Sequence, residues 1–314
     1  MFMFGKNYVG QLIERSAENP QDRRRFLKVA SAAGLGVVGA SAAAALTGPA
    51  ADAATEAANS VSDAAILNFA LNLEYLEAEF YSNAVHGHGL ADDLTHGSGR
   101  RGRVKGGARV PFTSKRVHQI AYEIAKDELD HVKFLRSALG SAAVSRPNIN
   151  IKESFTAAAQ AAGLIKKDQT FDVYANEDNF LLGAFIFEDV GVTAYKGAAP
   201  LISNKTYLSA AAGILAVEAY HAATVRTELL DRGLGAASDA ISKARDSLDG
   251  PSNDDQGVTR HGRANIVPTD SNGLVYGRST GHVLNIVYLT PKKATSGGFF
   301  PHGVNGSINT SSSS

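Results

Sequence analysis

The sequence predicts an all-α chain: a four-helix bundle with a long crossover between its second and third helices, followed by an irregular C-terminal extension with little strand. Three observations lead there. Four stretches, roughly 61–86, 114–140, 177–199 and 204–232, carry apolar residues at the helical period, and each exceeds the usual strand length. The second and third are separated by about 35 residues while the third and fourth nearly abut, the chain path of a bundle with one crossover. Beyond Leu248 the composition turns to Gly, Pro, Asn and Ser, which ends the helical pattern.

Taken in order, the first helix gives way to "HGHGLADDLTHGSGRRGRVKGGARVPF", a polar, glycine-rich surface loop. The crossover holds Pro147 and a short helical piece near Glu153 to Ala162. In the extension, "VLNIVYL" at 283–289 reads as a short strand and the closing "SSSS" as disordered. Three segments result: 1–53 as an export signal, 54–248 as the bundle and 249–314 as the tail.

The export signal rests on "DRRRFLK" at 22–28, followed from Val29 to Ala51 by an uncharged Ala- and Gly-rich run. This resembles a twin-arginine signal with Arg23 and Arg24 as the pair and cleavage after Ala53, implying the twin-arginine translocase as a partner and a periplasmic or extracellular destination. A membrane anchor is the alternative, weakened by the scarcity of Leu, Ile and Phe in the run. Lys and Arg total 31 against 31 Asp and Glu, so no basic surface argues for nucleic acid. Cysteine is absent, excluding disulfides, thiolate-held zinc and iron–sulfur clusters. A metal here must be held by Asp, Glu and His.

An internal duplication supplies such residues. Leu67, Ala70, Glu74, Glu77 and Tyr81 in the first helix match Leu181, Ala184, Glu188, Gly191 and Tyr195 in the third, each offset by 114. Ala121, Ile124, Glu128, His131, Leu135 and Leu139 in the second match Ala211, Ile214, Glu218, His221, Val225 and Leu229 in the fourth, offset by 90. Positions three and four apart share a helix face, so Glu74, Glu128, His131, Glu188, Glu218 and His221 all lie on the inward stripe. Four ionised carboxylates cannot be buried together uncompensated. Two divalent cations cancel their charge and two neutral imidazoles complete the set, the ligand pattern of di-iron and di-manganese carboxylate bundles.

On these motifs the chain resembles the ferritin-like superfamily over about residues 61–232. With the tail phrases "NIVPTDSNGLVYGRSTGHVLNIVYL" and "GGFFPHGVNG" it resembles, to about residue 304, exported bacterial ferritin-like proteins related to plant desiccation-related proteins. In that resemblance "NLEYLEAEFY" carries Glu74, "DELDH" carries Glu128 and His131, "FEDVGVTAY" carries Glu188, and "VEAYH" carries Glu218 and His221. The implied cofactors are two divalent metal ions, iron preferred to manganese, reacting with O2 or H2O2. The first loop is longer than in cage-forming ferritins and a long tail follows the fourth helix, so a monomer or small homo-oligomer is expected rather than a 24-subunit cage.

Further residues carry more than one reading each. Glu77 is a seventh ligand, a base beside the metals, or a salt-bridge partner. Asp127 either orients a metal-bound imidazole or is a solvated acid. Tyr81 and Tyr195 hydrogen-bond a ligand, act as redox-active phenols, or fill the core. His86, His88 and His96 with Asp92 and Asp93 form an iron-entry patch or a mobile polar loop. The expected function is an exported di-metal oxidoreductase, ferroxidase-like or peroxidase/catalase-like, in stress protection; the alternative is a structural or stress-protective binding protein whose metal site is stabilising or vestigial.

Overall fold

Four long helices form where the periodicity places them: α1 Asp63–His86, α2 Lys115–Leu139, α4 Glu177–Ala198 and α5 Lys205–Asp231. Shorter elements fill the connections: β1 Val104–Gly106, β2 Ile149–Ile151 and α3 Glu153–Ala161, then α6 Gly235–Asp246, β3 Thr259–Arg260, β4 Arg263–Ala264 and α7 Thr280–Val287. The structure is a computed structural model describing residues 61–252 and 254–313; the expected export signal lies outside the described residues.

Local chemistry sets the helix starts. Ser114 accepts from the Val117 amide at 3.3 Å to open α2, Asn176 from Asn179 at 2.9 Å to open α4, and Asn204 from Thr206 at 2.8 Å to open α5. Gly140 ends α2 at φ 55°, a conformation that glycine adopts without steric cost.

The four long helices are not equivalent. α1 ("ILNFALNLEYLEAEFY") and α4 ("NFLLGAFIFEDVGVTAY") are apolar all round, and such helices must be covered all round. Both are buried along most of their length, whereas α2 and α5 bury one stripe each. The crossover and the extension supply part of the cover. Phe155 of α3 and Phe299 of the extension close over Phe80 and Phe187, with ring centroids 5.3 Å (Phe80–Phe155), 5.4 Å (Phe80–Phe187), 5.1 Å (Phe155–Phe299) and 5.0 Å (Phe187–Phe299) apart. Each such ring withdrawn from water contributes about 1.5–3 kcal/mol. The extension also pairs with α1, where Asn72 donates to the Asn305 carbonyl at 2.8 Å and accepts from the Asn305 amide at 3.0 Å.

Three expectations need correction. "VLNIVYL" forms α7, not a strand. Its run is buried on every side, so alternation could not separate the two forms; Ser279 capping the His282 amide at 3.2 Å starts the helix. The final serines are not disordered through Ser313: Ser311 is buried and its amide donates to Ala294 at 2.8 Å. Nor is the loop after α1 free, because β1 pairs in parallel with β2, Val104 opposite Ile149, and Ser98 bridges Val144. The extension is otherwise irregular with little strand, as the composition implies.

Candidate metal centre

The inward stripe of the bundle brings all six candidate ligands together. Glu74, Glu128, His131 and Glu218 each place a ligand atom within 4.8 Å of the others, and Glu128, Glu188 and His221 do the same, so Glu128 belongs to both groups. The four carboxylates are 0% exposed, His131 8% and His221 6%, which makes the α2–α5 side the least covered.

Both imidazoles turn Nδ1 toward the carboxylates. His131 Nδ1 lies 3.2 Å from Glu74 Oε2, 3.4 Å from Glu128 Oε2 and 3.6 Å from Glu218 Oε1. His221 Nδ1 lies 3.1 Å from Glu128 Oε1 and 3.4 Å from Glu188 Oε2. On the far side of its ring, His221 Nε2 meets Asp127 Oδ2 at 3.3 Å. Asp127 therefore orients the imidazole of the opposite helix. The duplicate of Asp127 is Val217, so this device has no counterpart on α5.

Two tyrosines cross the bundle. The Tyr81 hydroxyl donates to Glu188 Oε1 and the Tyr195 hydroxyl to Glu74 Oε1, so each glutamate helix holds the other's carboxylate. Gly191, the duplicate of Glu77, leaves space for a carboxylate: a Cβ there would stand 2.1 Å from Glu218 Oε2 and 3.5 Å from Glu77 Oε1. Sequence comparison of the two halves shows this Gly but not its reason, because Glu218 arrives from α5.

Without a cation, protons neutralise the cluster. Burial pushes Glu74 up to about 7, and pushes Glu188 up and Glu218 well up, with neighbouring carboxylates adding to the rise. For Glu128, burial is outweighed by His131 and His221 on either side, and its carboxyl is held low. Burial likewise opposes charging His131, but Glu74 and Glu128 prevail and push it up to about 12; Glu188 and Asp127 raise His221 in the same way. Glu77, 6% exposed, joins neither ligand group; burial, then Glu128 and Glu74, push its carboxyl well up.

Protons do not satisfy every atom. Both oxygens of Glu128 and of Glu218, Glu188 Oε2 and His221 Nδ1 are enclosed without a hydrogen-bond partner: His131 Nδ1 bonds Glu74 Oε2 at 3.2 Å, but the approaches of the two rings to Glu128, Glu188 and Glu218 are misaligned. Each orphan of this kind costs about 1–3 kcal/mol. Acceptor-only oxygens converging with ring nitrogens are what a cation satisfies, and the residues present fit a metal site.

The loop candidates are not assembled in this way. His86 and His88 stack with centroids 5.7 Å apart and Asp92 pairs with Arg101, but among the described residues none joins a group that could share an ion. Sequence reading also missed a buried network around Arg226, Arg245 and Arg278, whose signal, charged residues scattered between 189 and 278, has no periodicity.

Comparison with known proteins places the chain in a family. The chain is 29% identical over 258 residues, 76% of its length and 82% of the relative's, to the desiccation-related protein PCC13-62 of Craterostigma plantagineum. It is 27% identical over 268 residues, 78% of its length and 84% of the relative's, to the ferritin-like catalase Nec2 of Nesocodon mauritianus. No solved structure matches it. A family model described as the ferritin-like domain matches residues 62–231, running from the start of α1 to the end of α5 and so spanning every candidate ligand; the chain belongs to the ferritin-like domain family.

Proposed function

We infer that this chain is an exported di-metal oxidoreductase that removes peroxide, in stress protection, with dioxygen-driven Fe(II) oxidation as the variant chemistry of the same site. The observation that carries this is the set of enclosed, unpartnered oxygens on Glu128, Glu188 and Glu218 facing two Nδ1 atoms. Glu74, Glu128, His131 and Glu218 would hold one divalent ion, and Glu128, Glu188 and His221 the other, iron before manganese. Four carboxylates against two dications leave no net charge.

A bound metal pair supplies two-electron redox capacity at a site with little water. The protein's part is positioning and proton handling. Tyr81 and Tyr195 fix one oxygen each of Glu188 and Glu74, leaving the other for the metals. Asp127 fixes the His221 tautomer so that Nδ1 carries the lone pair. Glu77, beside Glu218, would exchange the protons that reduction of peroxide to water consumes and oxidation of a second peroxide returns. The overall balance is two H2O2 to two H2O and one O2, with no outside reductant. The name of the catalase relative supports the peroxide reading.

Metal analysis of the protein from its source, followed by peroxide consumption with oxygen evolution, tests the assignment. Two metals per chain, with turnover abolished by Glu128→Ala and His131→Ala in variants that still fold, is the expected result. Turnover absent from the fully loaded parent would instead favour the structural reading, to which the desiccation-related relative points. Export through the twin-arginine route and a monomeric or small oligomeric state are part of the proposal, checked by signal-dependent secretion and by size-exclusion chromatography.

A further inference from the structure

A second acidic cluster lies outside the bundle core, where α6 ends and the extension begins. Asp246, Asp249 and Asp254 each bring a carboxylate oxygen within 4.8 Å of the others. Asp249 is 1% exposed; its Oδ2 accepts from Arg278 Nε at 2.5 Å, while its Oδ1 is enclosed and accepts nothing. Asp246 Oδ1 is enclosed without a partner as well. Two orphaned anionic oxygens in one cluster are an unusual cost, and arginine does not relieve it although arginines are close.

Charge accounting explains why. Arg226, Arg245 and Arg278 are buried with Asp189, Asp255 and Asp249: Arg226 meets Asp189 at 2.7 Å, Arg245 meets Asp189 at 2.9 Å and Asp255 at 2.7 Å, and Arg278 meets Asp255 at 2.8 Å and Asp249 at 2.5 Å. Three cations and three anions cancel. Asp246 and Asp254 are two carboxylates beyond that balance, beside the same network. Burial, then Asp249 and Asp255, push Asp246 upward, so its ionised form is short of positive charge.

We propose that Asp246, Asp249 and Asp254 form a binding site for a hard divalent cation of the calcium class, which fastens the start of the C-terminal extension to the end of α6. The donors are all oxygen and carry no His or Cys, which selects hard ions over the transition metals suited to the bundle centre. Three carboxylate ligands leave room for water oxygens, the variable coordination that calcium accepts and magnesium resists. A dication closes the charge sum and satisfies both orphaned Oδ1 atoms. The extension on which it acts reaches α4 through Arg278, whose amide donates to the Thr193 carbonyl at 2.9 Å.

Calcium titration by calorimetry, with thermal midpoints read in parallel, tests this on three full chains: the parent, Asp246→Asn/Asp254→Asn, and Glu128→Ala/His131→Ala. The first and third bind one calcium per chain and melt at higher temperature in its presence; the double Asn variant binds at least tenfold more weakly and loses the shift. Both Asn changes spare the Asp249–Arg278 pair, and Asp254→Asn alone serves if the double variant misfolds. No calcium heat in the parent, undiminished affinity in the Asn variant, or loss of binding in the Glu128/His131 variant overturns the site. Tighter magnesium than calcium binding overturns the ion class.

Discussion

The Tyr81 hydroxyl donates across the bundle to Glu188, and Tyr195 returns the same bond to Glu74. Each tyrosine is buried with its phenol pushed well up by burial and by the carboxylate it serves, so it remains a donor at any physiological pH.

Tyr81→Phe and Tyr195→Phe each remove one hydrogen bond to a buried carboxylate, an interaction of about 1.5–3 kcal/mol. Because the pair is reciprocal, the two variants should lose stability by similar amounts, and together they should weaken metal retention more than either alone. Denaturant midpoints and metal retention after dialysis check this. A large loss from one variant beside none from the other would contradict the symmetry.

Gly191→Ala should behave against helix propensity. Alanine favours a helix over glycine by about 1 kcal/mol, yet its Cβ at Gly191 would meet Glu218 Oε2 at 2.1 Å. Gly213, exposed on α5 with nothing within 4 Å of its built Cβ, is the control. Gly213→Ala should raise the melting temperature while Gly191→Ala lowers metal content.

Asp127→Asn leaves a partner for His221 but exchanges its charge for a neutral amide. Loss of such an orienting carboxylate typically costs about 10–100-fold in metal affinity. Competition with a chelator of known strength gives the value; unchanged affinity would show that Asp127 is merely a solvated acid.

Stripping the metal should invert the response to pH. In the metal-free chain Glu74 sits at about 7 rather than 4.5, and Glu77, Glu188 and Glu218 are raised too, so their contribution is full below 4.5 and is lost as pH rises through those higher values. His131 acts in the same sense, its contribution full below 6.5 and lost toward 12. Glu128, held low, opposes this only below 4.5. The chelated protein should therefore melt at a higher temperature near about pH 5.5 than near about pH 8. Metal ions compete with the same protons, so the stabilisation by added metal should grow over that interval, as paired melting curves would show.

Helix positions and the inward stripe of the six candidate side chains were legible along the chain because both are local. The period of 3.6 residues places Glu128 and His131 on the stripe of Ile124 and Leu135 whatever lies opposite, and the buried charge they create must be compensated. The duplicated spacing around Glu188 and Glu218 supplied the other half in the same way. Contacts between helices have no such signature. Nothing near Asp127 in sequence shows that it serves His221 on α5, or that Gly191 is small because Glu218 fills its space. Nor does "VLNIVYL" reveal itself as α7, since a segment covered on every side shows neither period. The cluster at Asp246, Asp249 and Asp254 emerges only once Arg278, far along the chain, has been drawn against Asp249 and Asp255. Periodicity and charge are properties of a segment, whereas cover, register and the sharing of an ion belong to segments brought together by folding.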